Sequence, residues 1–444
     1  MKVRFAPSPT GLLHVGNARQ AVANALFARR HGARFQLRLD DTDTARSRPE
    51  YAAAIEQDLA WLGIGWDELL RQSDRLERYA QAAERLKREG LLYPCFESDE
   101  ELRYKRELQL KRGQPPIYDR AMLKLTPEQR AAAEAGGKRP YWRFKLYGGT
   151  VSWTDLVLGA RQVKLTTLSD PVLIRADGSP LYTFTSVVDD MDSNITHIIR
   201  GEDHVTNTGV QINLWSGLGS DPADVRFGHL PLLVDADGGK LSKRLEGLSL
   251  RSLRNDGVEP EAITGYLARL GTSRDPAPLP LAELAADFDL AEVSHSAARF
   301  DVRQMLALNR RLLHGLDFAA VQARLPAGAT EAFWLAVRGN LDLLVEARVW
   351  WEVVAGEIVV PPMAGEGAFL TAALDHLPPE PWDGGTWLAW TGALKAATGR
   401  GGKALFHPLR LALTGEEKGP ELAVLLPLMG RARVAERLAV AARA

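Results

Sequence analysis

The stretch from Lys2 to Gly32 admits one local architecture. Val3 and Phe5 alternate with Lys2 and Arg4, as in a short half-buried strand, and Pro7, Pro9 and Gly11 then interrupt regular structure. From Asn17 a helical pattern, with Val22 and Leu26 four apart, runs to Arg30, and Gly32 supplies a stop. Strand, turn and helix in that order present free amides of a helix start beyond the end of the strand, and such amides attract phosphate. Gly16 allows a nucleotide to approach the backbone closely, and His14 sits where its imidazole can donate to a phosphate oxygen. Standing alone, the segment reads equally well as an ordinary strand–helix connection with a surface histidine.

A second motif changes that balance. Lys240-Leu241-Ser242-Lys243-Arg244 follows Asp235-Ala236-Asp237-Gly238-Gly239, a run of turn-forming residues that can carry two ammonium groups onto a triphosphate. By itself it would be a solvated charged hairpin. The two motifs in this order outline an ATP site held between a helix start and a lysine loop.

The rest of the chain gives that site a setting. Residues 1–95 alternate strand-like and helix-like patterns, with Phe35, Leu37 and Leu39 on one side of a strand before an Asp-rich turn, which predicts a nucleotide-binding half. Residues 96–185 change character, with a charged helix from Glu100 to Lys111, an Ala-rich helix from Glu128 to Ala135 and a strand-like run Tyr141–Phe144, and read as an inserted α+β domain. The parallel-sheet core returns over 186–239, where Ile195–Ile199 reads as a strand buried on both faces with Arg200 at its carboxyl end, the place where open parallel sheets bind ligands. Residues 240–310 and 311–444 become mostly helical, with joins at Pro361-Pro362 and Pro378-Pro379. The fold class is therefore α/β, a Rossmann-type domain with an insertion, followed by all-helical domains.

At 444 residues the chain has room for two to four domains, and 45% hydrophobic with 25% charged residues is ordinary for a globular protein. The amino terminus enters a strand directly, and no run approaches the ~20 apolar residues that span a bilayer, so a cytoplasmic location without membrane association is expected. Cys95 is the single cysteine, which excludes an internal disulfide and a multi-cysteine zinc site; between Tyr93-Pro94 and Phe96 it reads as a small packed residue. A net charge of −1 does not suggest RNA, but from Thr391 onward nine Lys or Arg face four Glu, giving local positive charge of the kind that binds phosphates or merely solvates a helix.

Five motifs carry a resemblance: Arg4-Phe5-Ala6-Pro7-Ser8-Pro9-Thr10-Gly11, Arg38-Leu39-Asp40-Asp41-Thr42-Asp43, Tyr182 with Val187-Val188-Asp189-Asp190, Arg200-Gly201-Glu202-Asp203-His204, and Lys240 to Arg244. In these, and over nearly its whole length, the chain resembles the bacterial-type glutamyl-tRNA synthetases of class I, the first motif region corresponding to the HIGH signature and the last to KMSKS. The resemblance implies a glutamate–tRNA ligase that uses ATP with Mg2+ to make glutamyl adenylate and pyrophosphate, then passes the glutamyl group to the terminal adenosine of tRNA(Glu). It implies His14, Lys240 and Lys243 as catalytic groups, and Pro7, Thr10, Gly11, His14, Gly16, Asn17 and Lys243 around ATP. For L-glutamate it implies Arg4 and Arg200 on the carboxylates, Asp40 helped by Ser8 on the ammonium, and Tyr182 closing the pocket. It further implies an insertion that meets the acceptor end of the tRNA, helical domains for the stem (240–310) and the anticodon (311–444), and a monomer.

Three departures are visible. Asp40 stands where many relatives have Glu, Ser186 where many have Asn, and Asn340, beside Arg338 in the tRNA-binding region, where members that charge only the glutamate tRNA carry an arginine. The last raises tRNA(Gln) as a second substrate. Family members that hold a structural zinc use cysteines absent here, so no zinc is expected. Against the alternatives, a glutaminyl-tRNA synthetase is disfavoured by Arg200, which suits a charged substrate, and by the helical carboxyl-terminal region. A non-tRNA adenylating enzyme would not need that region, and a non-catalytic RNA-binding module would not need both His14 and Lys243.

Overall fold

The structure is a computed structural model that describes residues 1–239 and 248–443; the predicted Lys240 and Lys243 lie outside the described residues. The chain divides into two units. One comprises Met1–Ser252 and Ile263–Asp301, the other Leu253–Ala262 and Val302–Ala444. No helix among the described residues is long and apolar enough to cross a membrane.

The first unit begins with β1 (Lys2–Phe5), α1 (Val15–His31), β2 (Arg34–Leu39), α2 (Pro49–Trp61), β3 (Glu68–Arg71) and α3 (Leu76–Arg88). The intervening region contributes β4 (Leu92–Cys95), α4 (Asp99–Lys111), α5 (Pro127–Ala135), β5 (Tyr141–Phe144), β6 (Thr150–Asp155), β7 (Gly159–Lys164) and β8 (Val172–Ile174). Then follow α6 (Tyr182–Asp192), β9 (His197–Gly201), α7 (Val205–Gly217) and β10 (Arg226–Leu230). Five parallel strands form one sheet in the order β10-β9-β1-β2-β3, with Val3 opposite Phe35 on one side and His197 on the other. The strand order reverses at β1, so the connections leaving β1 and β9 diverge and open a crevice at their carboxyl ends.

Local chemistry sets several boundaries. The first helix starts at Val15, two residues before the position the sequence suggests, because His14 serves as its N-cap: Nδ1 accepts from the Gly16 amide at 3.1 Å while the Asn17 side chain accepts from the His14 amide at 3.5 Å. Gly32 ends it in the left-handed region at φ 58°, satisfying the carbonyls of Ala28 and Arg29. The strand read as 195–199 lies at His197–Gly201, which puts Arg200 inside the strand instead of beyond it. β2 is buried on both faces, for Gln36 and Arg38 are enclosed along with Phe35, Leu37 and Leu39.

The inserted region shares a core with the sheet, since Leu92, Phe144 and Leu173 cluster with Phe184 and Val187 of α6, Leu214 of α7, Ile198 of β9 and Phe227 of β10. Around Cys95 the side chains are mutually bonded: its Sγ lies 3.5 Å from Tyr118 Oη, and Glu97 accepts from Tyr118, Tyr141 and Lys105. Burial pushes the Cys95 thiol up to about 11, which keeps it protonated and unreactive.

The second unit is built of short helices around fully buried Phe333, Trp334, Leu370, Trp390, Leu409 and Leu438. Each tryptophan finds a main-chain acceptor, Trp334 at Leu316 and Trp390 at Ala373, so large apolar area is enclosed without an orphaned N–H.

Candidate active site

The crevice at the ends of β1 and β9 is a cleft of about 760 Å³. Its lining brings together Pro7, Ser8, Thr10, Gly11, His14, Gly16 and Asn17, and adds Arg19, Asp203 and His204, for which the sequence suggested no role. The Pro7–Pro9 loop is anchored from below, with Asp40 donating its amide to the Pro7 carbonyl at 3.0 Å and Arg48 donating to Pro9 at 3.0 Å. Capping fixes the state of His14. Because Nδ1 accepts from Gly16, a neutral ring carries its hydrogen on Nε2, and burial lowers its pKa, so the uncharged tautomer donates from Nε2. Gly16 has a role in that arrangement, for a Cβ there would lie 3.0 Å from His14 Cε1. The Gly16 amide itself is spent on the cap and is not free for phosphate.

Both flanks of the lysine segment border this cleft. On one side Val234 lines it and the Asp235 turn closes with Gly239 donating to Asp235 Oδ1 at 2.7 Å; on the other, Ser249 bridges to His14 and Leu250 donates to the Leu13 carbonyl. Arg19, buried in α1, donates to the carbonyls of Pro231 at 2.6 Å and Leu270 at 3.1 Å, fastening the helix to the segments before and after.

The remaining predicted residues form a buried polar cluster deeper in the sheet. Arg4 of β1 donates Nε to Asp190 Oδ1 at 3.1 Å, and its terminal nitrogens bond to no described residue. Asp40 is gripped by Arg38, which donates Nε to Oδ1 at 2.7 Å and Nη2 to Oδ2 at 3.3 Å, and reaches Asp190 through Nη1 at 2.7 Å. Burial nonetheless pushes the Asp40 carboxyl up to about 6, with Arg38 holding it back. Arg38 and Asp190 both sit in the quoted motifs, yet nothing in their spacing announced that they would organise Arg4 and Asp40. Asp189, 3.9 Å from Arg38 Nε, accepts from Gln72, Arg75 and Tyr79.

Arg200 differs from these. It is 4% exposed, and no carboxylate of the described residues comes within ion-pair distance. Its partners are neutral: Nη1 donates to Tyr182 Oη at 3.1 Å, Nη2 to Thr208 Oγ1 at 2.6 Å and Gln211 Oε1 at 2.7 Å, and Nε approaches His229 Nε2 at 3.4 Å. Burial lowers its pKa, with Tyr182 and Asp190 opposing and repulsion from Arg4 adding to the effect, which places the two guanidinium groups within electrostatic reach of each other. Ser186, one turn beyond Tyr182 on α6, is buried with an Oγ that has no hydrogen-bond partner in the described structure. In the second unit, Arg338 is half-buried and donates to the Leu316 carbonyl at 2.8 Å, and Asn340 is exposed.

This arrangement can hold a polyanion over the start of α1 and an acidic group against a buried cation that no carboxylate of the described residues contacts. The sequence profile of the tRNA synthetases of class I (E and Q), catalytic domain, matches residues 1–307, and that of an anticodon binding domain matches 366–442. The chain is 64% identical to a protein of Gluconacetobacter diazotrophicus named glutamate–tRNA ligase 2, and 66% identical to one of Acidiphilium cryptum with the same name, each comparison covering 100% of both chains. A crystal structure of a glutamate tRNA ligase from Elizabethkingia meningosepticum, in complex with its amino acid, superposes with a TM-score of 0.83 at 26% identity, covering 100% of this chain and 99% of that one.

Proposed function

The chain belongs to the class I tRNA synthetases for glutamate and glutamine, and from that premise we infer that it is a glutamate–tRNA ligase, joining L-glutamate to tRNA(Glu) at the expense of ATP. The observation that carries the choice of glutamate over glutamine is Arg200, a buried cation surrounded by neutral acceptors. A buried charge without a partner is costly, and an anionic side chain of the substrate supplies the missing partner. Tyr182 accepts from Arg200 and so keeps its own O–H to donate. A carboxylate can accept from both that hydroxyl and the remaining Arg200 N–H, whereas the NH2 of a side-chain amide would confront donors.

The reaction then follows from the placement of groups. The α-carboxylate of glutamate, drawn by the free terminal nitrogens of Arg4, attacks the α-phosphorus of ATP; pyrophosphate departs and glutamyl adenylate is left. His14 Nε2–H, at the start of α1, donates to phosphate oxygens without adding a full charge, and Lys240 and Lys243 are assigned to the phosphates on the resemblance. Asp40 and Ser8 receive the substrate ammonium, whose charge holds Asp40 ionised despite its burial. The terminal ribose hydroxyl of the tRNA next attacks the activated carbonyl, and AMP leaves. Catalysis here is positioning and charge neutralisation.

Magnesium fits the donor set. Asp203 is the single carboxylate among the described residues of the cleft, which suits an ion held mainly by phosphate oxygens and water. When bound it offsets charge on the phosphates. The insertion is assigned to the acceptor end and the second unit, with Arg338 and Asn340, to the anticodon. With asparagine in place of a long cationic reader at 340, tRNA(Gln) is a second substrate of this reading. A monomer in the cytoplasm completes it.

Glutamylation of separate glutamate and glutamine tRNA transcripts with identical CCA ends, with ATP and magnesium, tests the proposal. Charging of the first establishes the ligase, and charging of the second as well establishes relaxed tRNA choice. Failure with both, and with native modified tRNA, overturns the assignment.

A further inference from the structure

Arg200 is held from behind by a chain of three side chains that reaches out of the sheet into the inserted region. His229 of β10, 0% exposed, turns Nε2 toward Arg200 Nε at 3.4 Å and toward Thr208 Oγ1 at 2.9 Å. Its Nδ1 lies 2.5 Å from Asp155 Oδ2, at the end of β6. The other oxygen of Asp155 is committed, since Oδ1 accepts the backbone amides of Val157 at 3.1 Å, Leu158 at 3.0 Å and His229 at 3.0 Å. Leu156 also donates to the Phe227 carbonyl at 2.8 Å, so the end of the hairpin is pinned to the strand that carries His229.

We propose that Asp155 and His229 are positioning residues that set Arg200 for the glutamate side chain by fixing which ring nitrogen of His229 carries the hydrogen. This rests on the reading of Arg200 given above. Carboxylate Oδ2 can only accept, so His229 donates from Nδ1 and presents a lone pair at Nε2. That lone pair is what a guanidinium N–H and the Thr208 hydroxyl require. Thr208 Oγ1, 2.9 Å from it and 3.2 Å from the His204 carbonyl, has one hydrogen for these two acceptors, gives it to the nearer Nε2, and uses its own lone pair to accept Arg200 Nη2. With Nε, both hydrogens of Nη2 and one of Nη1 engaged, a single Nη1–H is left, beside Tyr182 Oη. The plane of the guanidinium is thus fixed by neutral groups that do not neutralise it, and its one open donor is fixed with it.

The arrangement makes a sharp prediction for Asp155→Asn. The three backbone amides keep the amide oxygen where Oδ1 lies, so the NH2 falls opposite His229 Nδ1, and the half-buried Trp153 Nε1–H, which donates to Oδ2 at 3.3 Å, loses that acceptor as well. The imidazole must then accept at Nδ1 and carry its hydrogen on Nε2, where it meets Arg200 Nε–H and can no longer take the Thr208 hydrogen. A wrong tautomer in an otherwise intact site is a functional lesion and not a folding one.

The test uses the full-length protein. Glutamate KM, ATP KM and kcat are measured by tRNA charging for wild type, Asp155→Asn, His229→Gln and the double variant, with thermal unfolding of each. A glutamine side chain places Oε1 near the position of Nε2 and accepts from Arg200 whatever faces Nδ1, so His229→Gln keeps glutamate KM within about threefold. Expected for Asp155→Asn is a rise of about 10- to 100-fold in glutamate KM, the range found for carboxylates that orient a metal-ligating histidine, with ATP KM unchanged. The double variant behaves like His229→Gln, because a glutamine side chain has no tautomer to set. An Asp155→Asn glutamate KM within twofold of wild type overturns the proposal, as does an equal loss in both backgrounds. Wild-type charging of tRNA with these variants indifferent would sink the relay and leave the ligase standing; a wild type that charges no tRNA would sink the ligase itself.

Discussion

Two buried arginines, one in each unit, look alike in sequence and serve opposite ends. Arg437, 6% exposed in the helix Arg431–Arg443, donates Nη1 to the carbonyls of Val353 and Leu413, both at 2.6 Å, and Nη2 to those of Glu352 at 3.4 Å and Gly356 at 3.0 Å. Its neighbour Arg433 binds the Val354 and Ala355 carbonyls in the same way. These side chains close the exposed carbonyl ends of the helix Ala347–Ala355 and tie it to the last helix. Arg200 is equally enclosed, but side chains surround it and one of its N–H groups is left for a ligand. Burial of a cation alone does not mark a binding site. What marks it is whether the terminal nitrogens are spent on main-chain carbonyls, as both are in Arg437, or one keeps an N–H free among neutral side chains, as in Arg200.

The same distinction revises the positive tail. Of the nine Lys and Arg after Thr391, Arg433 and Arg437 serve main-chain carbonyls, Arg410 donates to Pro420, Arg431 to Pro378, and Arg400 pairs with Glu366. Much of the charge that suggested a phosphate-binding surface is structural.

The largest effect is expected at Asp190, the carboxylate that Arg4 and Arg38 share and that Arg200 lacks. Asp190→Ala strips the anion from Arg4 and Arg38 and is expected to destabilise the first unit by about 3–5 kcal/mol, seen as a lower urea midpoint. Less stability loss than for a surface alanine variant would show that the cluster is dispensable. Next, Arg200→Ala is expected to lower kcat/KM for glutamate by roughly a thousandfold, about 4 kcal/mol, while the unfolding midpoint stays near wild type. A stability loss equal to the activity loss would erase the distinction drawn here. The converse is Arg437→Met, which leaves buried carbonyls unpaired and is expected to cost about 2–3 kcal/mol of stability with glutamate KM unchanged.

The smallest effect is a pH dependence that only the first unit carries through His204. Burial lowers its pKa to about 4 from an ordinary 6.5, with repulsion from Arg200 and Arg4 adding to the shift and Asp203 opposing it. The folded state therefore favours the neutral ring. That contribution is complete above pH 6.5 and is lost as pH falls from 6.5 toward 4, by no more than about 1 kcal/mol after solvent screening. Urea titrations at pH 7 and pH 5 should show a steeper loss in wild type than in His204→Asn; parallel losses would assign the effect elsewhere.

How much of this was legible differs between local and distant partners. The strand–turn–helix from Lys2 to Gly32, the charged and Ala-rich helices of the insertion and the strand Tyr141–Phe144 follow from periodicity and punctuation, which act over a few residues. The cap at His14 was missed because histidine is uncommon there; the pairing of a ring acceptor with Asn17 three residues on was the available signal. For Arg38, Asp190, His229 and Asp155 no local signal existed.

The sequence by itself determined the class of fold, the order of its parts and the residues gathered around the first helix, because those depend on spacing along one chain. It also determined that Arg4, Asp40 and Arg200 belong to one kind of chemistry, through their motifs. Only the tertiary structure decided which of these charges is already satisfied. Asp40 is bound by Arg38, Arg4 is half-occupied by Asp190, and Arg200 is left with neutral neighbours supplied by α6, α7 and β10. The physical reason is that the cost of a buried charge depends on every group within a few ångströms. For Arg200 those groups are Tyr182, Thr208, Gln211 and His229, brought together when α6, α7 and β10 pack around β9.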